Sequence, residues 1–446
     1  MGRFINCLII FCIFLSLVTL SLIKSYDQDT YTSMPFYQQM LARIDSIDKR
    51  TTDKGILTAG WAKSPILPPA SVPIASYGIR DSYESVHDTI FARAFAFNNG
   101  VSQATLVTVD LLIFPPALYQ YLEDSLGASY MKTLFFSATH THNGPGGWLK
   151  GPAARFIAGS FSREYVRHLG NTIIRLINEA HANRQPAGIS YYETPHPENI
   201  ANRIVRDDTT DNMIRYTVIT GQRNQRKAIL VSYGAHANCI SHKINQISAD
   251  YPGELCYELE HRGYDMAAFV AGAVGSMTNN CHGLTDYECT NHIGKAIAHK
   301  ILATPHRHKS SPDTLRIRSG NIDLLLKETS PRITKEWALR PWIFRQLLGS
   351  QSLFISYLKL GDVSLIGTPC DFSGVIASEI YQQNNPLPFI ITSFNGSYAG
   401  YITPLRYDHL EKNETREMNW LGYDHGTYFK TLINHLLSRL YTSDKP

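Results

Sequence analysis

The sequence predicts an α/β fold: a mixed central sheet flanked by helices, preceded by a single N-terminal membrane helix. Three observations carry that expectation. Short β-rich runs alternate with helical patterns along most of the chain, and such alternation builds a sheet covered by helices. No internal repeat, low-complexity tract or long linker follows residue 55, so one continuous body is expected there. A lone block of 20 uncharged residues, Phe4 to Ile23, lies between Arg3 and Lys24.

That block comes first in the chain. Sixteen of its 20 residues are apolar, and at about 1.5 Å rise per residue a helix of this length covers the roughly 30 Å hydrocarbon core. A cleaved signal usually has an apolar stretch of about 7–15 residues and an A-x-A-like site. Here the block is longer and runs into Lys24-Ser25-Tyr26-Asp27, and neither Cys7 nor Cys12 follows the small residue of a lipoprotein signal. Residues 1–24 are read as a signal anchor, with a cleaved signal peptide as the alternative. The anchor reading puts the rest of the chain outside the cytoplasm on a membrane; the alternative makes it secreted or periplasmic. Residues 25–54 are polar with a weak helical pattern (Tyr37, Met40, Leu41, Ile44, Ile47) and read as a stalk, linker or packing arm.

Residues 55–446 are expected to form the main body of the chain. Ser64-Pro65-Ile66-Leu67-Pro68-Pro69 is a loop, because proline removes donors and fixes φ. Strands are expected at 104–110, 133–139, 214–220, 228–235, 266–271 and 388–393, with a hairpin over 353–367 turning at Gly361-Asp362. Helical periodicity marks 163–183 (Val166, Leu169, Ile173, Leu176, Ile177, Ala180), 252–262, 291–303, 372–383 and 427–441. Asp250 is read as the cap of the second of these helices, with Pro252 in its first turn.

Composition narrows the function classes. With 42 Lys+Arg against 38 Asp+Glu, 43% hydrophobic and 18% charged residues, the chain is globular rather than disordered. A formal charge of +4 without a basic stripe gives no case for nucleic acid. No Walker loop and no G-x-G-x-x-G occurs, so no nucleotide cofactor is expected; H-E-x-x-H and G-x-S-x-G are also missing from the sequence. Of seven cysteines, Cys281 and Cys289 are the nearest candidates for a disulfide in an exported chain. The sequon Asn395-Gly396-Ser397 lies beside the expected site, which disfavours a glycan there; Asn413-Glu414-Thr415 is the second sequon.

Three strand ends carry the chemistry. The run Phe135-Phe136-Ser137-Ala138-Thr139-His140-Thr141-His142-Asn143-Gly144-Pro145-Gly146-Gly147 ends an apolar strand in His-x-His and a Gly/Pro loop. Residues i and i+2 of a strand share a face, so both imidazoles can approach one ion or substrate. His236 ends the apolar run from Ala228, where a lone histidine is more often a satisfied core residue. The third run, from Phe269, ends in Gly275-Ser276-Met277-Thr278-Asn279-Asn280, small residues and hydroxyls suited to lining a pocket.

Together these segments resemble the catalytic domain of the neutral/alkaline (non-lysosomal) ceramidase family. The run from Ala138 to Gly147 is similar to its "THTH-x-GPGG" signature, Ala59–Ala62 through Tyr77–Arg80 to its opening strand, and Phe91–Phe95 to its "RARA" strand. Asn202-Arg203 resembles the start of "NRS", with Ile204 in place of serine, and Gly400–Thr403 resembles "YITT". The likeness runs in order over residues 55–425.

The resemblance implies a zinc amidase that cleaves the N-acyl amide bond of ceramide or a related lipid amide at a membrane surface. It implies His140, His236, Asp371 and Tyr401 as Zn²⁺ ligands, and His142 and Arg203 as contacts to substrate and oxyanion. Thr278 stands at the family's serine position with Ser276 beside it, and Tyr423 matches a later family tyrosine. The family's glutamate is aspartate at position 371, one methylene shorter, and the resemblance covers none of the immunoglobulin-like domain that follows in the family. Such a donor set holds Zn²⁺ with room for a water, whose pKa falls toward ~7 as the amide carbonyl is polarised. Two alternatives stay open: a metal hydrolase of a non-lipid amide or ester, and a catalytically degenerate lipid-binding member.

Overall fold

Period-two alternation gives the main sheet two different faces. In the strand Phe91–Asn98, Ala92, Ala94 and Ala96 enter one apolar core while Phe95 and Phe97 enter another. The structure, a computed structural model, describes residues 2–47, 53–223, 225–305, 312–349 and 352–442. Eight strands form the main sheet in the spatial order Met266–Ala271, Lys227–Tyr233, Met213–Gly221, Gln185–Pro195, Thr58–Pro65, Phe91–Asn98, Gln103–Val109, Leu134–Ala138. The first and last pairs are parallel and those between are antiparallel, so the sheet is mixed as expected.

A second sheet of four strands, Ile317–Asp323, Phe354–Leu360, Val363–Gly367 and Phe389–Thr392, faces the first. Leu358, Leu365 and Ile390 share a buried core with Phe95, Leu106 and Leu230 of the large sheet. Helices cover the two outer faces, giving four layers: helices, sheet, sheet, helices. The expectation of a mixed sheet flanked by helices thus holds on one face, and the other face is covered by a second sheet.

The helix Arg163–Ala182 shows how the outer layer is built. Ser162 accepts the backbone N–H of Tyr165, Glu164 sits in the positive first turn, and Val166, Leu169, Ile173, Leu176, Ile177 and Ala180 form the buried stripe. It lies so close to the strand Thr58–Pro65 that a side chain at Gly60 would collide with the carbonyl of Ala180. Helices Asp250–His261 and Asp286–Ala303 cover the 266–271 edge, while Gly374–Gln383 and His425–Thr442 cover the small sheet.

Strands Gln185–Pro195 and Ile317–Asp323 and the helix Pro116–Leu126 were not foreseen. Asp250 is not a side-chain cap: it has φ 56°, and its carboxylate accepts the N–H groups of Tyr251 and Cys239. That geometry ties the helix start to the loop after His236 instead. Cys281 and Cys289 are bonded to each other. Asn395 is fully buried, donating to the carbonyls of Phe354 and Gly367, which leaves no access for a glycan.

The terminal block is helical over Gly2–Leu22. The side chains of residues 2, 3, 8 and 13–18 lie outside the described residues, and among the described residues no helix is long and apolar enough to cross a membrane. Beyond it, Ile23–Ser25 pairs antiparallel with Trp337–Leu339. Tyr31, Met40 and Ile44 are buried in the core under the C-terminal helix, Tyr31 stacking on Tyr428 at 4.3 Å between centroids. Residues 31–45 therefore pack on the body as an arm rather than standing off it as a stalk; residues 48–52 lie outside the described residues.

Candidate metal centre

The ends of three strands meet at Ser393. Its N–H donates to Ala271 O (2.9 Å), its Oγ to Gly272 O (2.8 Å), and its carbonyl accepts from Ser137 Oγ (3.1 Å). This knot brings the loops after 134–138 and 266–271 to one place. The first of them begins with His140 in a left-handed conformation, φ 65°, its ring stacked on Phe394 at 4.2 Å. A bulky residue held there is strained, and such strain concentrates at functional sites.

The hydrogen bonds around two histidines fix their tautomers. His140 Nδ1 lies 2.6 Å from Leu112 O, and His236 Nδ1 lies 3.2 Å from Val274 O. A carbonyl only accepts, so each Nδ1 carries the proton and each Nε2 presents a lone pair. Those two Nε2 atoms face each other at 2.8 Å, and His142 Nε2 is 3.2 Å from that of His140. Facing lone pairs repel unless a cation lies between them. Asp371 Oδ1 is 3.4 Å from His140 Nε2 and 4.0 Å from His236 Nε2; it is buried and has no hydrogen-bond partner. An unpaired buried carboxylate oxygen is costly, and a metal ion is one way to satisfy it.

These residues fit a divalent metal. Nitrogen ligands at about 2.0–2.1 Å from a tetrahedral ion stand roughly 3.3 Å apart, which is the scale of the separations seen here. His140, His142 and His236 form a group able to hold a metal, all three buried. Burial pushes the His236 imidazole well below its ordinary pKa, helped by the charges of Arg203, His140 and His142. Burial does the same to His142, with His140, Arg203 and Arg80 adding to it. A metal ligand must be neutral imidazole, and this environment favours that form.

His142 differs from the other two. Its Nδ1 faces a hydroxyl, Ser76 Oγ at 2.5 Å, which can donate or accept, so either tautomer is satisfied. Arg203 Nη2 donates to the Tyr401 hydroxyl (2.7 Å), its Nε lies 3.0 Å from Glu414 Oε1, and its backbone N–H is held by Ser276 O (3.0 Å). Burial raises the Tyr401 phenol, against the lowering effect of Arg203. Asp371 and Tyr401 are register partners in a short parallel pair, Asp371–Phe372 with Tyr401–Ile402. Gly275 sits where any Cβ would strike the carbonyl of Asp371.

The cluster floors a cavity of about 380 Å³. Its polar end holds His140, His142, Arg203, Asp371 and Tyr401, and its walls are apolar: Leu112, Trp148, Phe156, Leu348, Met418 and Trp420. A concave apolar pocket with few convergent polar groups is the usual form of a small-molecule site. A larger cleft, about 650 Å³, opens at Tyr191, Tyr192 and Arg316, but no imidazole lines it.

Of the residues nominated from sequence, His140, His142, His236, Asp371, Tyr401 and Arg203 come together. Ser276, Thr278 and Tyr423 do not line the cavity. Ser276 is buried with its Oγ 2.8 Å from that of Ser373, and Thr278 lies in a short strand opposite Ala201. Tyr423 is half-buried ahead of the C-terminal helix. Sequence reasoning missed Ser76, Glu414 and Tyr398, whose hydroxyl donates to Asp371 Oδ2 at 2.7 Å. Each sits far in sequence from the group it supports: Ser76 from His142, Glu414 from Arg203 and Tyr398 from Asp371.

The chain is similar in structure to a neutral ceramidase from Pseudomonas aeruginosa, with a TM-score of 0.72 at 18% identity over 87% of this chain and 75% of that one. A ceramidase complexed with C2 gives a TM-score of 0.73 at 17% identity, covering 87% and 76%. At these identities the likeness is one of fold. The sequence pattern described as neutral/alkaline non-lysosomal ceramidase, N-terminal, matches residues 68–301, just over half of the chain and the part that supplies all three clustered histidines. The chain belongs to the neutral/alkaline non-lysosomal ceramidase family.

Proposed function

We propose that this chain is a zinc-dependent amidohydrolase that cleaves the N-acyl amide bond of ceramide or a related lipid amide. The observation that carries it is the convergence of three imidazole nitrogens and an unpaired carboxylate oxygen at the floor of an apolar-walled cavity. His140 and His236, with Nε2 lone pairs fixed by backbone carbonyls, would hold the ion with Asp371 Oδ1 and the Tyr401 hydroxyl. Bound zinc supplies Lewis-acid polarisation of an amide carbonyl and acidifies water.

The remaining groups have roles of their own. His142, free to exchange tautomers against Ser76, is suited to take up a proton and return it to a leaving amine. Arg203, buried and held by Glu414 and Tyr401, presents fixed positive charge where an amide oxygen becomes anionic. The apolar walls take the acyl chain or sphingoid tail and exclude water. A long apolar wall favours a lipid amide over a small polar one.

The test is metal content and turnover on the full chain. One zinc per chain is expected, with hydrolysis of ceramide to a fatty acid and a free amine. His140→Ala should lose both zinc and activity. Arg203→Ala, assayed at saturating zinc, should lose about 10²–10³ in kcat, the usual cost of an oxyanion donor. Full metal content and turnover in His140→Ala would sink the assignment, and hydrolysis of short soluble amides alone would replace the lipid substrate.

A further inference from the structure

We infer that the face formed by the strand Trp337–Leu339 and the helix Pro341–Leu348 lies on a lipid surface and turns the cavity mouth toward it. The N-terminal apolar helix ends on this face. Its last carbonyls are taken by the body: Leu20 O by Arg340 Nε (3.0 Å), Ser21 O by Trp342 Nε1 (3.1 Å) and Leu22 O by the Arg340 backbone N–H (2.9 Å). A cation and an indole N–H at a helix C-terminus satisfy carbonyls that would otherwise be orphaned. The next residues, Ile23–Ser25, are clamped by pairing with Trp337–Leu339. The apolar helix is thus joined to the body by a short, fixed collar.

The same collar borders the cavity. Helix Pro341–Leu348 turns Phe344 inward onto Trp420, with ring centroids 4.9 Å apart, and both Trp420 and Leu348 line the cavity. Its outer side leaves Trp342 47% and Leu347 38% exposed, next to Trp337 at 39%. Phe156, 59% exposed, also lines the cavity. Exposed large apolar side chains grouped in this way mark an interaction surface. Tryptophans with arginine and lysine at the end of an apolar helix are the pattern of a membrane interface, and Lys24 and Arg340 stand at that level here.

The occupant is a lipid surface because the apolar helix leaves from this patch, its described side chains Phe4, Ile10, Phe11 and Leu20 all more than half exposed. A bilayer that receives that helix also meets Trp337, Trp342 and Leu347. An acyl chain then passes from the lipid along Leu348 and Phe156 into the cavity without crossing water. This rests on the lipid-amide reading for what passes through the mouth, and not for the docking itself.

Tryptophan quenching tests the docking without any activity. The full chain is placed in phosphatidylcholine vesicles whose acyl chains are brominated near the headgroup. Trp61, Trp148 and Trp420 are buried, so Trp337 and Trp342 should account for most of the emission lost. Trp337→Phe with Trp342→Phe should cut the quenched fraction at least twofold. Equal quenching in the two proteins, or none in the wild type, overturns the inference. As a second measurement, Leu347→Glu should lower turnover of ceramide in vesicles about tenfold and leave a soluble short-chain amide unaffected; equal loss on both substrates also counts against it. A chain that shows the quenching and no amidase activity keeps the docking and loses the proposed reaction.

Discussion

Removing one oxygen from the cluster gives the sharpest test of the metal site. In Asp371→Asn the amide oxygen still accepts the Tyr398 hydroxyl now bonded to Oδ2, so packing is kept. What goes is the anionic Oδ1, 3.4 Å from His140 Nε2 and without a hydrogen-bond partner. A ligand that binds only the folded state stabilises it by RT ln(1 + [L]/Kd), about 2.7 kcal/mol at 100 times Kd. At about 2.1 cal/mol/K per residue, 446 residues give an unfolding entropy near 1 kcal/mol/K, so that stabilisation raises Tm by about 3 °C. Loss of an outer partner already costs 10–100-fold in metal affinity, so losing a ligand should cost at least about 100-fold. At the same zinc concentration the variant gains only about 0.4 kcal/mol, well under 1 °C. Calorimetry on chelated protein, before and after zinc is restored, reads both shifts. A wild-type Tm indifferent to zinc, or an equal rise in Asp371→Asn, would refute the assignment of Oδ1 as a ligand.

Other predictions follow from neighbouring features. Gly275→Ala forces the Asp371 carbonyl to move and should weaken zinc binding about tenfold though it changes no ligand, as isothermal titration would show. Arg93 and Asp110 form a fully buried pair at 2.8 Å; Arg93→Ala leaves an unpaired buried charge and should cost about 3–5 kcal/mol in urea unfolding. Burial raises the Asp250 carboxyl to about 6. The folded state therefore holds that proton more tightly than the unfolded one. Stability from this group is present at low pH and falls by about 3 kcal/mol as pH rises from about 4 to 6. Asp250→Asn should flatten that part of the stability profile, and an unchanged slope would show that Asp250 does not titrate there.

Most of the fold was legible because its elements follow their periods closely. The strand Leu134–Ala138 and the helix Arg163–Ala182 differ from expectation by a residue or so at each end. What escaped notice had weak local signal. Gln185–Pro195 carries Pro186, Gly188 and Pro195 and still pairs along most of its length with Met213–Gly221, while Thr58–Pro65 meets it only at Gln185 and Pro186. Pro116–Leu126 starts directly after Pro115, where proline suits a helix start yet reads as a loop. The second sheet was invisible as a layer, since pairing between distant strands leaves no mark in any one of them. In the site, the histidines were legible from strand-end motifs, whereas Ser76 and Glu414 act only through contacts that folding creates.

Two of the departures from the family pattern, at Asp371 and in the loop 275–280, have different structural weight. At position 371 the shorter aspartate still brings Oδ1 to 3.4 Å from His140 Nε2, because its backbone rests on Gly275, where no side chain intervenes. The loss of a methylene is met by close backbone approach, so the carboxylate stays in the cluster. At Ser276 and Thr278 the hydroxyls are spent elsewhere: one faces Ser373 below the loop and the other lies in a strand away from the cavity lining. What this loop gives the site is its backbone, Ser276 O holding the Arg203 N–H and Val274 O holding His236 Nδ1. A serine hydroxyl that does meet the cluster is that of Ser76, against His142. If a hydroxyl takes part in the reaction, Ser76→Ala should lower turnover by more than Ser276→Ala or Thr278→Val, and the reverse order would return that role to the loop.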